Sequence, residues 1–270
     1  MKNLLKNYFK KILQKRGIEI NRKERLKFVG KEILVSKGAF LREYAEDNNW
    51  LYALSRNNKN ILDIGCNIGQ SSLLLMINTN NRIACVDPNP KALSRCAENL
   101  IFNNLSDHAT FHNYFIGDAD NVKIKFYSSF TDSSSSMFKT FIKKVASVVE
   151  SFEVNQIKAD TLCEMINFAP DLIKVDVEGA ETKVLQGINN ILKKKPLIFV
   201  EVHSGIELSI VDNTNNIMNW CQLNYYTPYY MKSNEVLKST EEIKNIWNYY
   251  LLLVANGQRY PEYLRELSQM

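Results

Sequence analysis

Short apolar runs alternate with helix-like patterns along most of the chain beyond residue 40. Seven of these runs have the length and composition of buried strands: 60–64, 82–86, 110–116, 172–175, 197–200, 225–230 and 250–254. Apolar residues recur at helical spacing in five further segments: 41–54, 71–76, 91–102, 162–168 and 184–192. Strands that alternate with helices predict a mostly parallel sheet covered by helices, so the predicted fold class is α/β.

The region 118–160 departs from this alternation. Residues 122–127 and 152–157 alternate apolar and polar, as expected for strands that have one exposed face, and a serine-rich run at 131–136 lies between them. We interpret the region as a β-excursion between the third and fourth strands of the sheet. It is also the best candidate for a lid that faces a substrate.

A basic amphipathic helix is predicted near the N-terminus, because apolar residues recur there at helical spacing with lysines between them. The apolar positions are Leu4, Leu5, Tyr8, Phe9, Ile12 and Leu13. Two roles stay open for this helix: it packs on the body or on a partner subunit of a homo-oligomer, or it binds an anionic membrane surface. Residues 21–37 are expected to connect it to the body. The chain then divides into a basic N-terminal segment (1–40), a main domain (41–260) and a C-terminal tail (261–270).

The net charge of +5 is concentrated in the N-terminal segment. Residues 1–40 hold twelve Lys or Arg against three Glu, so the other 230 residues sum to about −4. The main domain is therefore not a basic platform for nucleic acid. Five scattered cysteines without a C-x-x-C pair indicate free thiols in a reducing compartment, not disulfides or a zinc site. Because no apolar run reaches ~18 residues and lysines interrupt the N-terminal apolar stretch, a cytoplasmic location is predicted.

A glycine-bearing turn follows the first predicted strand and precedes a helix. The stretch from Ile61 to Gly69 reads Ile-Leu-Asp-Ile-Gly-Cys-Asn-Ile-Gly, and Asp87 ends the next strand. In open α/β sheets, such glycines let the backbone approach a ligand, and a carboxylate about twenty residues further on accepts hydrogen bonds from ribose hydroxyls. The turn matches neither the Gly-x-Gly-x-x-Gly of pyrophosphate-binding loops nor a P-loop. We therefore predict a site for a nucleoside without phosphates.

Acidic residues recur where the strands end, which is the edge at which open α/β sheets bind ligands. The residues at these positions are Asp63, Asp87, Asp176 and Glu201. An alternative role as a helix N-cap stays open for Asp176, and also for Glu178 and Glu181. His203 lies two residues past Glu201, and both a structural and a catalytic role stay open for it.

Four segments together resemble the FkbM-type methyltransferases, which are class I enzymes dependent on S-adenosylmethionine. They are Asp63-Ile-Gly-Cys-Asn-Ile-Gly69, Val86-Asp-Pro-Asn-Pro90, Ile173-Lys-Val-Asp-Val-Glu-Gly-Ala-Glu181 and Glu201-Val-His203. The third segment is the most specific because it is the longest. The resemblance implies a Rossmann-like fold with a seven-stranded, mostly parallel sheet in the order 3-2-1-4-5-7-6 and flanking helices. It makes the main domain a methyltransferase domain.

The resemblance also implies which residues bind the cofactor S-adenosylmethionine. Carried over by position, the residues that line its methionine and ribose portion are Asp63, Gly65, Asn67 and Gly69. Asp87 holds the ribose diol, and the residues around the adenine are Pro88, Asn89, Gly117 and Asp118. Carboxylates in place of Lys or Arg suit a cofactor that has no phosphate and carries a cationic sulfur.

The implied reaction is O-methylation of a glycan or a related small hydroxylated acceptor, whose hydroxyl must lose its proton. His203 is the first candidate for the base, because its ordinary pKa of about 6.5 suits proton acceptance near neutral pH. Asp176 is the second candidate, and Glu178 orients substrate hydroxyls or holds Lys174. A divalent metal at this carboxylate-rich edge stays open, but none is assigned, since nothing in the linear spacing establishes one. Two alternatives stay open: N-methylation of an amino-sugar or small molecule, and an inactive cofactor-binding scaffold.

Overall fold

The computed structural model describes residues 23–28, 31–36, 46–77, 80–129, 135–136, 149–204 and 208–267. The chain divides into two compact units, Met1–Glu43 and Tyr44–Met270. In the first unit, β1 (Lys23–Phe28) and β2 (Lys31–Ser36) pair as antiparallel strands, where the sequence predicts only a connecting segment. The amphipathic helix predicted at 4–13 lies outside the described residues.

The second unit contains twelve further strands and seven α-helices among its described residues. The strands are β3 (Asn60–Ile64), β4 (Arg82–Val86), β5 (Ala109–His112), β6 (Phe115–Ile116), β7 (Val122–Ser129), β8 (Ser135–Ser136), β9 (Val149–Ile157), β10 (Leu172–Val175), β11 (Leu197–His203), β12 (Tyr226–Tyr230), β13 (Glu235–Val236) and β14 (Asn248–Ala255). The helices are α1 (Glu46–Asn57), α2 (Gln70–Met76), α3 (Pro90–Phe102), α4 (Ala159–Met165), α5 (Glu181–Gln186), α6 (Ile210–Asn224) and α7 (Glu262–Leu267).

The main sheet has the spatial order β13-β12-β14-β11-β10-β3-β4-β5. Neighbouring strands from β11 to β5 pair in parallel, whereas β14 runs antiparallel to both β11 and β12. Counted along the chain, the seven longer strands stand in the order 3-2-1-4-5-7-6, and the two-residue β13 adds an eighth strand at one edge. The α/β class and the Rossmann-like fold are therefore confirmed, and the expected count of seven is short by one strand.

The apolar run 110–116 forms two strands in different sheets, not one. After β5 the side-chain amide of Asn113 donates to the carbonyl oxygens of Asp87 and Pro88, both at 2.9 Å, which holds this turn against the end of β4. The chain then leaves the main sheet, and β6 pairs with β9 instead. Three helices also differ from expectation: α1 ends three residues later than 41–54, α4 begins and ends three residues earlier than 162–168, and α5 begins and ends before 184–192.

The predicted β-excursion is a second sheet of four strands in the order β6-β9-β7-β8. Its long strands, β7 and β9, pair antiparallel over eight residue pairs. The alternating pattern produces one buried face, where Phe126 and Val154 pack with Phe115. This sheet places β6 and β7 beside the ends of the main parallel strands.

The core of the second unit lies on both faces of the main sheet, which explains why its parallel strands read as continuous apolar runs. Leu62, Ile173 and Val200 are each fully buried. Part of the predicted C-terminal tail is helical, and Leu264 of α7 is fully buried. Among the described helices, none combines the length and the hydropathy required to cross a membrane.

Candidate active site

A cleft lies at the carboxyl ends of β3, β4 and β10. These three strands are in parallel register, with Ile64 aligned to both Val86 and Val175, so the residues that follow them meet at one edge. The cleft is lined by Ile64, Gly65, Asn67, Val86, Asp87, Pro88, Tyr114, Phe115, Ile116, Phe126, Asp176, Val177 and Glu178. It therefore combines one apolar wall with the carboxylates at the strand ends.

The glycine-bearing turn forms the floor of the cleft, and its backbone geometry requires glycine at two positions. Gly65 has φ +78°, and a Cβ atom there would lie 1.8 Å from the carbonyl oxygen of Asp176. Gly69 has φ +87° and leads into α2, where a Cβ atom would lie 2.8 Å from Sγ of Cys96. Since an L side chain fits poorly in both conformation and space, the turn keeps the backbone open to the cleft.

Asp87 lies at the cleft with only 6% of its surface exposed. Its Oδ2 accepts the backbone N–H of Asn67 at 2.9 Å, and its Oδ1 accepts that of Asn89 at 2.8 Å. Burial raises the pKa of the Asp87 carboxyl to about 7, against the opposing effect of these two hydrogen bonds. The carboxylate thus joins the ends of β3 and β4 and retains lone pairs for further donors.

Five of the residues expected to bind cofactor lie outside the cleft lining: Asp63, Gly69, Asn89, Gly117 and Asp118. Asp63 is fully buried, accepts the hydroxyls of Ser71 and Ser72, and supports the turn from below. Asn89 caps α3 by accepting backbone N–H groups of its first turn. Asp118 accepts the side-chain amide of Gln156 at 3.0 Å in the excursion sheet.

The sequence did not predict the aromatic and aliphatic side chains that form one wall of the cleft. Tyr114, Phe115 and Ile116 reach it because the chain turns out of the main sheet after β5, and Phe126 reaches it from β7. Such a wall is suited to the flat face of an adenine ring. The only signal in the sequence was the apolar run 110–116, which read as a single strand.

A second cluster of charged residues adjoins the cleft around His203. Glu201 and His203 lie on the same face of β11, since residues two apart in a strand point to one side. From the sequence, Glu201 and His203 are expected beyond the end of the strand, but β11 extends through His203. Asp176 and Glu178 belong to both the cleft lining and this cluster. The two parts of the site are therefore continuous.

His203 is buried, with 4% of its surface exposed, and its ring faces four carboxylates. Nδ1 lies 2.9 Å from Oε1 of Glu181 and, because a carboxylate only accepts, Nδ1 carries the hydrogen. Nε2 lies 3.4 Å from Glu201, 3.5 Å from Glu178 and 3.9 Å from Asp176. Burial alone would lower the pKa of His203, but the neighbouring carboxylates raise it well above its ordinary value.

For Glu181 the sequence is compatible with a role in the site and with a role as a helix cap. In the structure Glu181 is buried and supports His203. It is fully buried at the start of α5 and accepts the backbone N–H of Gly179 at 2.9 Å. Its Oε2 accepts the side-chain amide of Asn213 at 2.8 Å. Asn213, on α6, had no signal in the sequence. Together these contacts hold the carboxylate that orients His203.

Glu178 lies in the left-handed region, with φ +53°, a conformation that non-glycine residues adopt at a cost of roughly 1–2 kcal/mol. This turn directs its side chain back over β11 toward His203. Burial raises the pKa of Glu178 to about 7, although the positive charge of His203 opposes the shift. A carboxyl that changes protonation near neutral pH therefore lies in the cleft.

Lys174 pairs with Asp63 and Asp176, not with Glu178. Its Nζ lies 3.4 Å from Oδ1 of Asp63 and 3.1 Å from Oδ2 of Asp176, and it donates to the carbonyl oxygen of Gly65 at 3.1 Å. Burial would lower the pKa of Lys174, but the two aspartates raise it above its ordinary value. The ammonium thus stays charged and connects β10 to the glycine-bearing turn.

Comparison with protein families agrees with this geometry. The model of the Methyltransferase FkbM domain matches residues 63–226, which include the glycine-bearing turn, Asp87 and the cluster around His203.

Two curated proteins are similar over part of their length. The hexuronic acid methyltransferase AglP of Haloferax volcanii is 31% identical over 149 residues, which cover 54% of this chain and 56% of that protein. The 2-O-methyltransferase NoeI of Sinorhizobium fredii is 26% identical over 199 residues, covering 65% of this chain and 80% of that protein. The chain thus spans little more than half the length of AglP.

Among solved structures, the O-methyltransferase from Bacillus cereus superimposes with a TM-score of 0.45 and 15% identity. That match covers 80% of this chain and 84% of the other.

Proposed function

The chain belongs to the FkbM methyltransferase family, whose methyl donor is S-adenosylmethionine, and on this premise we propose that it methylates a hydroxyl group of a sugar or a closely related acceptor. The observation that carries the proposal is the continuity of the site. Asp176 and Glu178 line the cofactor cleft and also lie beside His203, so an acceptor oxygen at this cluster lies next to the methyl donor.

The cleft fits S-adenosylmethionine by the character of its residues. Gly65 leaves the backbone open, and the buried Asp87 is suited to accept hydrogen bonds from a ribose diol. Tyr114, Phe115 and Pro88 offer an apolar border for adenine. The cofactor, when bound, supplies a methyl group on a cationic sulfur, whose charge the carboxylates of the cleft favour.

In the reaction, the residues of the chain position the acceptor oxygen and remove its proton. Holding a nucleophile in line with the reacting carbon supplies much of the rate of such a displacement. We assign the uptake of the hydroxyl proton to the carboxylates of the cluster, Asp176 and Glu178, and assign to His203 the positioning of these carboxylates, because its raised pKa keeps the ring protonated. Of the two carboxylates, Glu178 is well suited to accept a proton, since its pKa is about 7 and it lines the cleft.

The names of the two relatives support oxygen on a sugar as the acceptor. One is named for hexuronic acid and the other for 2-O-methylation. The polar cluster also suits a hydroxylated acceptor, because carboxylates accept hydrogen bonds from neighbouring hydroxyls.

The test is methyl transfer from isotopically labelled S-adenosylmethionine to a panel of uronic acids, neutral sugars and amino-sugars, with mass spectrometry of the products. We expect O-methylated products, and about 100-fold slower transfer for Glu178→Gln with S-adenosylhomocysteine binding retained. Asp107→Asn is the control, because Asp107 is exposed just before β5, at the amino end of this parallel strand and outside the cleft lining. Methylation at nitrogen, or cofactor binding without transfer to any acceptor of the panel, would refute the proposal.

A further inference from the structure

Three side chains of the cluster place metal-ligating atoms close together. One ligand atom from each of Asp176, Glu178 and His203 lies within 4.8 Å of the other two. The imidazole nitrogen is 3.5 Å from the Glu178 oxygen and 3.9 Å from the Asp176 oxygen, longer than good hydrogen bonds. Two ligand atoms at about 2.1 Å from one ion are about 3.0–3.4 Å apart when adjacent and about 4.2 Å apart when opposite. The two separations from Nε2, 3.5 and 3.9 Å, lie between the adjacent and the opposite values, so small side-chain shifts would bring the atoms to one ion.

The hydrogen bonds around His203 are of the kind found around a metal-binding histidine. Histidines that bind a metal through one ring nitrogen almost always donate the other N–H to a carboxylate or carbonyl, which fixes the ring. Here Nδ1 donates to Glu181 at 2.9 Å, and Glu181 is itself held by Gly179 and Asn213. Nε2 is thereby directed at the carboxylates of Glu201, Glu178 and Asp176.

The charges around the ring also favour a cation. Four carboxylates lie within 3.9 Å of the His203 ring, while the imidazole carries at most one positive charge. Lys174 contacts Oδ2 of Asp176, which leaves Oδ1 on the side of His203. The side chains of Asp176 and Glu178 are 27% and 30% exposed, so a hydrated ion can reach them from the cleft.

We propose that Asp176, Glu178 and His203 bind one divalent cation at the acceptor side of the cleft. Two carboxylates and one imidazole suit a hard or borderline ion such as Mg²⁺ or Mn²⁺. The ion takes the place of the proton on Nε2. Resting on the proposed function, its role is to hold the acceptor hydroxyl and to lower the pKa of that hydroxyl, so that its proton passes to a carboxylate oxygen of the cluster that is not bound to the ion as the methyl group is transferred.

The direct test is Mn²⁺ binding to full-length protein that has been treated with EDTA and dialysed, followed by calorimetry and electron paramagnetic resonance. We expect one Mn²⁺ per chain, competition by Mg²⁺, and at least tenfold weaker binding for Asp176→Asn and Glu178→Gln. Glu181→Gln tests the orientation of His203, and we expect about 10- to 100-fold weaker binding. Asp107→Asn serves as the control with unchanged binding.

Two outcomes would overturn the site: no Mn²⁺ bound by wild type at millimolar concentration, or equal binding by wild type, Asp176→Asn and Glu178→Gln. Both variants carry partly exposed side chains, and circular dichroism checks that they fold. Full methyl transfer in the presence of EDTA would overturn the role of the ion in the reaction, while the proposed function would stand. Mn²⁺ binding without transfer to any hydroxyl acceptor would refute the proposed function and leave the metal site intact.

Discussion

Asp87 provides the sharpest test of the cofactor cleft, through the substitution Asp87→Asn. The carboxylate accepts two backbone N–H groups, from Asn67 and Asn89, and has lone pairs left for a ribose diol. An amide has one oxygen, so one of these backbone donors then faces an NH₂ group and the diol loses a charged acceptor. Hydrogen bonds to charged groups contribute about 1.5–3 kcal/mol. We therefore expect roughly 10- to 100-fold weaker cofactor binding.

The same residue predicts a pH dependence, because burial raises the pKa of Asp87 to about 7. Only the ionised carboxylate accepts both diol hydroxyls, so wild-type affinity is expected to fall about tenfold per pH unit below pH 7. The same raised pKa has the opposite effect on the stability of the unliganded protein. A carboxyl whose pKa is higher in the folded than in the unfolded state favours folding as the pH drops from above 7 toward 4. Weaker binding at low pH is thus distinct from acid unfolding.

The assay is calorimetry with S-adenosylhomocysteine between pH 5.5 and 8.5, since this ligand lacks the cationic sulfur. Asp87→Asn should remove the part of the pH dependence centred near 7. Asp107→Asn, whose exposed carboxylate lies just before the amino end of β5 and outside the cleft lining, should bind like wild type. Unchanged affinity of Asp87→Asn at pH 8, or flat wild-type affinity across the pH range, would refute the reasoning.

Two further substitutions test the support of the cleft. Gly65→Ala should lower the melting temperature and abolish S-adenosylhomocysteine binding, because its Cβ would lie 1.8 Å from the Asp176 carbonyl oxygen. Gly257→Ala is the control for backbone strain alone: Gly257 has φ +87°, and a Cβ atom there would have no neighbouring atom within 4 Å. Equal effects of the two changes would contradict the role of close approach. Asp63→Asn leaves the buried Lys174 with one fewer carboxylate and should cost about 3 kcal/mol of unfolding free energy in urea titrations, while a change below 1 kcal/mol would contradict that pairing.

Much of the fold could be predicted from the sequence because the signal is local. The strands β3, β4 and β10 have the predicted bounds, since both faces of a parallel strand are buried and the apolar run marks its length. The run 110–116 was misread because its division depends on Asn113, whose side chain contacts the end of β4. That contact joins residues more than twenty positions apart, so no local pattern reports it.

Residue order alone predicts that the glycine-bearing turn, Asp87 and the acidic strand ends lie together, because parallel strands bring their carboxyl ends to one edge whatever the remaining contacts are. The division of roles among these carboxylates depends on contacts between distant parts of the chain. Asp63 lies below the turn with Lys174, whereas Asp176 faces the cleft. The cluster around His203 forms because the strand β11 and the turn at Glu178 meet in space. Its charge state and its capacity for a cation depend on distances of 3 to 4 Å between distant parts of the chain, which residue order does not encode.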